Sequence, residues 1–247
     1  MIPIVILCGG FGLRMGSIFP NQHKALIPIL HIPILNRVMH CYTSQGYNHF
    51  YLCLGYEGEQ ILKNFTNQED DLHQFKKERE LQIEYNDTYL GKCKIRMIDT
   101  GIETSTAGRL LKIRNYLELY DNFFLTYSDG ISDVALDKLA QQHTSSNVVA
   151  TITGVRPHLS YGVLNIDGNI ALSFNEKPLA NFWINGGFCI MSKDIFIHLN
   201  INDDLGHDTF KNLSKEKLLG VYKHHGFWKC LDTPKDYLEL ENIYHSL

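Results

Sequence analysis

The sequence predicts an α/β fold: a Rossmann-like, mostly parallel sheet flanked by helices, with a small β-rich annex. Three observations carry this. The chain opens on an apolar run, residues 2–8, that stops at Gly9-Gly10, as a strand buried on both faces does. Strand and helix patterns then alternate through 34–45, 50–54 and 57–65, with Leu35, Val38, Met39 and Tyr42 at helical spacing. That alternation marks right-handed βαβ units. Beyond residue 153 the rhythm changes to short strands and turns.

The remaining elements follow in order. Residues 67–80 are polar and highly charged, and read as a solvated excursion. Residues 81–85 and 94–98 are candidate strands, and 106–117 a helix. A buried strand at 122–127 runs into Ser128-Asp129-Gly130, followed by a helix at 135–143 and a strand at 148–153. Residues 162–166 and 169–174 read as a hairpin turning at Asp167-Gly168. A strand at 184–191 is interrupted by Gly186-Gly187, a short strand follows at 218–222, and Pro234 opens a closing helix over 234–244. With no repeat or linker, residues 1–247 read as a single domain whose parts, 1–153 and 154–247, share one body.

Composition narrows the function. The 247 residues are 44 % hydrophobic and 20 % charged, with a formal net charge of −4, an ordinary globular balance. Without a long basic run, nucleic acid is a poor partner, and an anionic ligand must meet a few placed cations. Six cysteines show no C-x-x-C spacing, so neither a zinc site nor a disulfide framework is indicated. No apolar stretch is long enough to cross a bilayer and no leader pattern opens the chain, so a cytoplasmic protein without membrane contact is expected.

Several motifs carry chemistry. Gly9-Gly10-Phe11-Gly12-Leu13-Arg14 follows a strand and closes on Lys24. Glycines let backbone N–H groups approach phosphate oxygens, Arg14 offers a planar fork, and Lys24 a point charge. It is neither a Walker loop nor the dinucleotide fingerprint, and a tight turn at a strand end would also explain it. Asp129, after a buried strand, stands where sheet ligands bind and suits magnesium; a helix N-cap or Asx-turn is the alternative. Asp232 is a second such carboxylate, or else the N-cap of the helix at Pro234. Glu176 and Lys177 could bind polyol hydroxyls and a phosphate, though a surface turn before Pro178 fits equally. Gly186-Gly187 inside a strand marks a bulge or a close approach, which would leave Asn185 to face sugar hydroxyls. His224-His225 lacks partners at ligand spacing and reads as a solvated or substrate-loop pair.

In this order the motifs resemble the sugar-1-phosphate nucleotidyltransferases, most closely their glucose-1-phosphate cytidylyltransferase branch. The resemblance spans nearly the whole chain. It includes Gly55-Tyr56, Asp99-Thr100-Gly101, Thr106-Ala107-Gly108-Arg109, Phe174-Asn175-Glu176-Lys177-Pro178, and His225-Gly226-Phe227-Trp228 leading to Leu231-Asp232-Thr233. It implies the nucleotidyltransferase fold with a sugar-binding annex, residues 1–153 handling the nucleotide and 154–247 the acceptor. It also implies CMP transfer from CTP to a sugar 1-phosphate, glucose 1-phosphate first, with release of pyrophosphate. Arg14, Lys24 and Lys177 would be the catalytic cations. Leu7, Gly9, Gly10, Gly12, Leu13, Gly101, Thr106, Gly108, Ser128 and Asp129 would join Arg14 and Lys24 around the nucleotide. Tyr161, Gly162, Glu176, Asn185 and Gly187 would join Lys177 around the acceptor. Asp129 and Asp232 would hold Mg2+.

Leu13 stands where the family has threonine, and His23 where it has proline before the lysine, which predicts a less rigid loop. Ala107 replaces a glycine, and a late acidic-plus-proline element is reduced to Asp208-Thr209-Phe210. These changes keep open a cytidylyltransferase with a different phosphorylated acceptor; a non-catalytic nucleotide-sugar-binding protein is a further alternative, against which the presence of both Asp129 and Asp232 argues. Relatives of this kind form homo-oligomers, for which the 67–80 excursion offers an interface.

Overall fold

The computed structural model describes residues 1–10, 15–16, 18–20 and 22–246. Its first strand, β1 (Ile4–Cys8), is buried at every position, as the apolar run requires. A short ribbon, β2 (Pro28–Ile29) with β3 (Ile32–Pro33), precedes α1 (Ile34–Thr43). Then come β4 (His49–Leu54), α2 (Gly58–Phe65), α3 (Glu69–Glu78), β5 (Glu80–Asp87) and β6 (Gly91–Asp99). The middle of the chain supplies α4 (Thr106–Lys112), α5 (Arg114–Leu117), β7 (Asn122–Tyr127), β8 (Gly130–Ser132), α6 (Leu136–Thr144) and β9 (Ala150–Val155). The last third holds β10 (Val163–Asp167), β11 (Ile170–Asn175), β12 (Ile184–Ser192), α7 (Phe210–Lys215), β13 (Leu219–Lys223), β14 (Trp228–Cys230) and α8 (Pro234–His245).

Eight strands form one sheet in the order β13-β9-β12-β7-β1-β4-β6-β5. Only β12 and β5 run against the others. The mostly parallel sheet is therefore as the sequence predicts. Apolar cores cover both faces: Ile4, Ile6, Phe124 and Phe188 cluster with Leu35, Val38 and Tyr42 of α1, and Val5, Leu7 and Leu125 with Ala107 and Leu110 of α4. Tyr42 of α1 stacks on Phe188 at 5.6 Å.

Two expectations fail. Residues 67–80 are largely exposed, as expected, but they are not an irregular excursion. They contain α3, whose first turn carries Glu69, Asp70 and Asp71 and whose last carries Lys76 and Lys77, an order that favours the helix dipole. Its Phe75 is buried in the core. The predicted helix over 106–117 breaks at Ile113, where φ −107 and ψ 10 separate α4 from α5. The hairpin forms as predicted, but its two-residue loop is Gly168-Asn169, one residue later.

Candidate active site

The parallel strands bring their carboxyl ends to one rim, where open α/β sheets bind ligands. Gly9 follows β1, Gly55 follows β4, Thr100 follows β6 and Ser128-Asp129 follows β7. Because β12 is antiparallel, its first residues, Ile184 and Asn185, arrive at the same rim opposite Val155 and Gly154. Leu7 itself is buried between Cys53 and Tyr127, so its side chain belongs to the core.

At this rim Lys24 meets both predicted metal carboxylates. Its Nζ lies 2.7 Å from Asp129 Oδ2 and 3.1 Å from Asp232 Oδ1. The two aspartates, distant in sequence, meet because β8 pairs antiparallel with β14, setting Gly130 opposite Cys230. The Leu231 N–H extends the ladder to the Asp129 carbonyl at 2.8 Å. The N-cap of α8 is Thr233, in a capping box with Asp236, so Asp232 is released from the capping role that the sequence left open. Asp129 likewise caps no helix: β8 follows it, and α6 starts after Ala135. Burial alone would depress the Lys24 ammonium, but Asp129 and Asp232 outweigh it and hold its pKa above the usual lysine value.

Lys24 opens a 3-10 turn, Lys24–Leu26, capped by His23: the Ala25 N–H donates to His23 Nδ1 at 3.1 Å. The His23 N–H donates to Gln60 Oε1 at 3.0 Å, and the ring is buried. Histidine thus pins the segment that was expected to be loose. Its backbone, at φ −57, is one that proline would also adopt. Gly12, Leu13 and Arg14 lie outside the described residues.

Sequence reasoning assigned no role to Arg109, which ties together the ends of β1, β4 and β6 at the rim. Its guanidinium is buried and donates to the carbonyls of Leu54, Gly101, Gly9 and Ile102 and to Thr100 Oγ1, at 2.6–3.2 Å. A Cβ on Gly9 would fall 2.1–2.4 Å from that guanidinium, and one on Gly55 2.8–2.9 Å. The two glycines, at matching ends of neighbouring strands, leave the space it fills. A lone arginine in Thr106-Ala107-Gly108-Arg109-Leu110-Leu111, facing two strand-end glycines, was the available signal. Gly101 adopts φ +92, and its carbonyl accepts from Arg109. Thr106 donates to Asp204 Oδ2 at 3.0 Å and accepts from the Leu205 N–H. Gly108 packs where a Cβ would stand 2.4 Å from the Ile201 carbonyl oxygen. Thr106 and Gly108 therefore tie α4 to the 201–205 segment.

The predicted acceptor residues gather around the β10–β11 hairpin and β12. Glu176 and Lys177 leave β11 exposed, 3.6 Å apart, with Lys177 in the left-handed region at φ 46. Gly162 sits against Phe174 and Glu176, with Tyr161 exposed beside it. The predicted irregularity in β12 is a bulge between Asn185 and Cys189, with Gly187 at φ +84. Asn185 Oδ1 accepts from the Gly187 N–H at 2.9 Å, leaving that oxygen one further lone pair. His224 is not solvated: its buried Nε2 contacts Asp133 Oδ1 at 2.9 Å and Ser132 Oγ at 3.2 Å. Both meet the same nitrogen, so no Ser-His-Asp relay exists here. His225 is exposed, edge-on to Trp183 at 5.2 Å.

Lys24, Asp129 and Asp232 thus meet at the carboxyl rim of a mostly parallel sheet, where open α/β folds bind ligands. The chain belongs to the nucleotidyl transferase family, whose model matches residues 4–246, and is an enzyme of that class. It is 36 % identical to a Bacillus subtilis (strain 168) protein named "Probable glucose-1-phosphate cytidylyltransferase", over 98 % of this chain and 96 % of that one. It is 29 % identical to the glucose-1-phosphate cytidylyltransferase of Salmonella typhi, over 98 % and 95 %. Among solved structures, HddC from Yersinia pseudotuberculosis superposes with a TM-score of 0.72 at 22 % identity, covering 99 % of this chain and all of that one; at that identity the likeness concerns the fold.

Proposed function

We propose that the protein transfers CMP from CTP to glucose 1-phosphate, giving CDP-glucose and pyrophosphate. The meeting of Lys24, Asp129 and Asp232 carries the reading, with the two cytidylyltransferase relatives naming nucleotide and acceptor. The acceptor phosphate is largely ionised at neutral pH, so its oxygen attacks the α-phosphorus without a general base. The task is to bring two anions together and to stabilise charge on the departing pyrophosphate. Lys24, rigidly presented by the His23 cap, faces the α-phosphate. Arg14 holds the triphosphate, and the Arg109 frame fixes the Gly9 and Gly101 backbone around the nucleotide. Lys177 receives the acceptor phosphate, while Glu176 and Asn185 face the sugar hydroxyls.

Asp129 and Asp232 fit a divalent cation: they are oxygen donors, carry two negative charges, and already converge on one cation, the Lys24 ammonium. Mg2+ held there would supply positive charge to triphosphate oxygens. The test pairs each nucleoside triphosphate with a panel of sugar 1-phosphates and other phosphorylated acceptors, following pyrophosphate release with and without Mg2+. Release confined to CTP with glucose 1-phosphate and requiring Mg2+ is expected. Release with CTP and another acceptor would move the assignment to that acceptor, and no release with any pair would refute it.

A further inference from the structure

Asp232 belongs to neither a strand nor a helix: it lies in the link 231–233, between the end of β14 at Cys230 and the start of α8 at Pro234. Its side chain is 36 % exposed and yet stays 3.1 Å from Lys24 Nζ. A functional carboxylate on so short and open a link can be aimed only if the backbone beneath it is held. On the strand side the Leu231 N–H donates to the Asp129 carbonyl at 2.8 Å. On the helix side the hold comes from Asp236.

Asp236 closes the capping box of α8: the Thr233 N–H donates to its Oδ2 at 2.9 Å, and its own N–H donates to Thr233 Oγ1 at 3.3 Å. A capping box needs no more than this exchange. Asp236 does more. Its Oδ2 also accepts from the Thr233 hydroxyl at 2.7 Å and, at 3.4 Å, from the N–H of Asp232 itself. Its Oδ1 meets Lys229 Nζ of β14 at 2.9 Å, and Lys229 pairs in turn with Glu239, further along α8. One carboxylate therefore ties together β14, the link and the helix, with Asp232 in the middle. Capping boxes favour Glu or Gln at this position. The aspartate found here is one methylene shorter, and its carboxylate sits between the Asp232 N–H and Lys229.

We infer that Asp236 is a positioning residue for Asp232: by fixing the link on its helix side, it aims the Asp232 carboxylate at Lys24. Partners that orient a metal-ligating carboxylate set metal affinity without touching the metal. Asp236 would thus also tune the hold of Asp232 on a divalent cation, a consequence that rests on the proposed function.

Three variants separate aiming from helix capping. Asp236→Ala removes both. Asp236→Glu keeps the charge and a capping box but shifts the carboxylate. Lys235→Ala, exposed on the same helix and paired with Glu239, should behave as wild type. In a crystal structure of metal-free Asp236→Ala, the Asp232 carboxylate should leave Lys24; a contact kept near 3.1 Å would overturn the inference. Calorimetric titration with CTP, without acceptor, reads the consequence for the cation. The gain in CTP affinity on adding Mg2+ should shrink about tenfold in both Asp236 variants, with the Mg2+-free affinity unchanged and Tm lowered only in Asp236→Ala. A gain that follows Tm, lost in Asp236→Ala and restored in Asp236→Glu, would reduce Asp236 to a helix cap and overturn the inference. So would a gain that neither variant alters. If wild type binds CTP no better with Mg2+ than without, the proposed role of the cation fails, and the variant structure alone decides whether Asp236 aims Asp232.

Discussion

Around Lys24 three segments of the chain converge on one ammonium: the turn capped by His23, Asp129 after β7, and Asp232 between β14 and α8. The hairpin that carries Glu176 and Lys177 projects with all its residues exposed. The first region is held by the fold's own ion pairs and hydrogen bonds, and the second is open to solvent. This division suits a transferase. In the proposed reaction, charge stabilisation at the reacting phosphorus needs groups that do not reorganise, whereas Glu176 and Lys177, exposed at the end of β11, are the groups proposed to receive the second substrate.

The comparison breaks first at the rigid centre. Lys24→Ala and Asp129→Ala should each lower kcat about a thousandfold with the circular dichroism spectrum unchanged. A loss below tenfold in steady-state pyrophosphate release would remove that residue from the centre.

The frame behind it predicts a loss of stability. Arg109→Met strands the carbonyls that the guanidinium now satisfies, and should cost about 3 kcal/mol, a fall of roughly 10 °C in Tm. Arg109→Lys should recover only part, since an ammonium cannot span the same acceptors. A calorimetric midpoint unmoved by Arg109→Met would show that the buried network contributes nothing.

The smallest effect concerns pH. Burial holds His23 below the usual histidine range, as it does His143 and His49, the last also depressed by Lys94 and Arg96. All three fold in the neutral form, so below about pH 6.5 the unfolded chain binds protons that the folded one refuses. Stability is therefore full above that pH and declines as pH falls through it. His23→Pro should flatten part of this decline while costing about 1 kcal/mol at pH 8, because it removes both the cap on Ala25 and the N–H donated to Gln60. Denaturant titrations at pH 8 and pH 5 measure both quantities, and a decline as steep in the variant as in wild type would exclude His23 from it.

Much of this was legible beforehand. Asp129 could be read because a buried strand leads straight to it, and Asp232 because it mirrors that placement; removing the N-cap reading of Asp232 needed the finding that Thr233 closes the box. α3 was illegible because one buried phenylalanine among charged residues gives almost no periodic signal, although the order of its charges was a clue. Arg109 escaped because all its acceptors but Thr100 Oγ1 are backbone carbonyls, from three strand ends, which leave no side-chain pattern in sequence. The hairpin was readable from its turn, yet its exposure was not: alternation shows that a strand has an apolar face but not what that face meets.

The most direct test of the centre is Asp232→Asn. Asparagine keeps the shape and the capping ability of aspartate and removes only the charge. If Asp232 faces the reacting phosphates with Lys24 and Asp129, pyrophosphate release from CTP and glucose 1-phosphate at saturating Mg2+ should fall at least a hundredfold with Tm within a few degrees of wild type. Near-wild-type turnover in this variant would contradict the account.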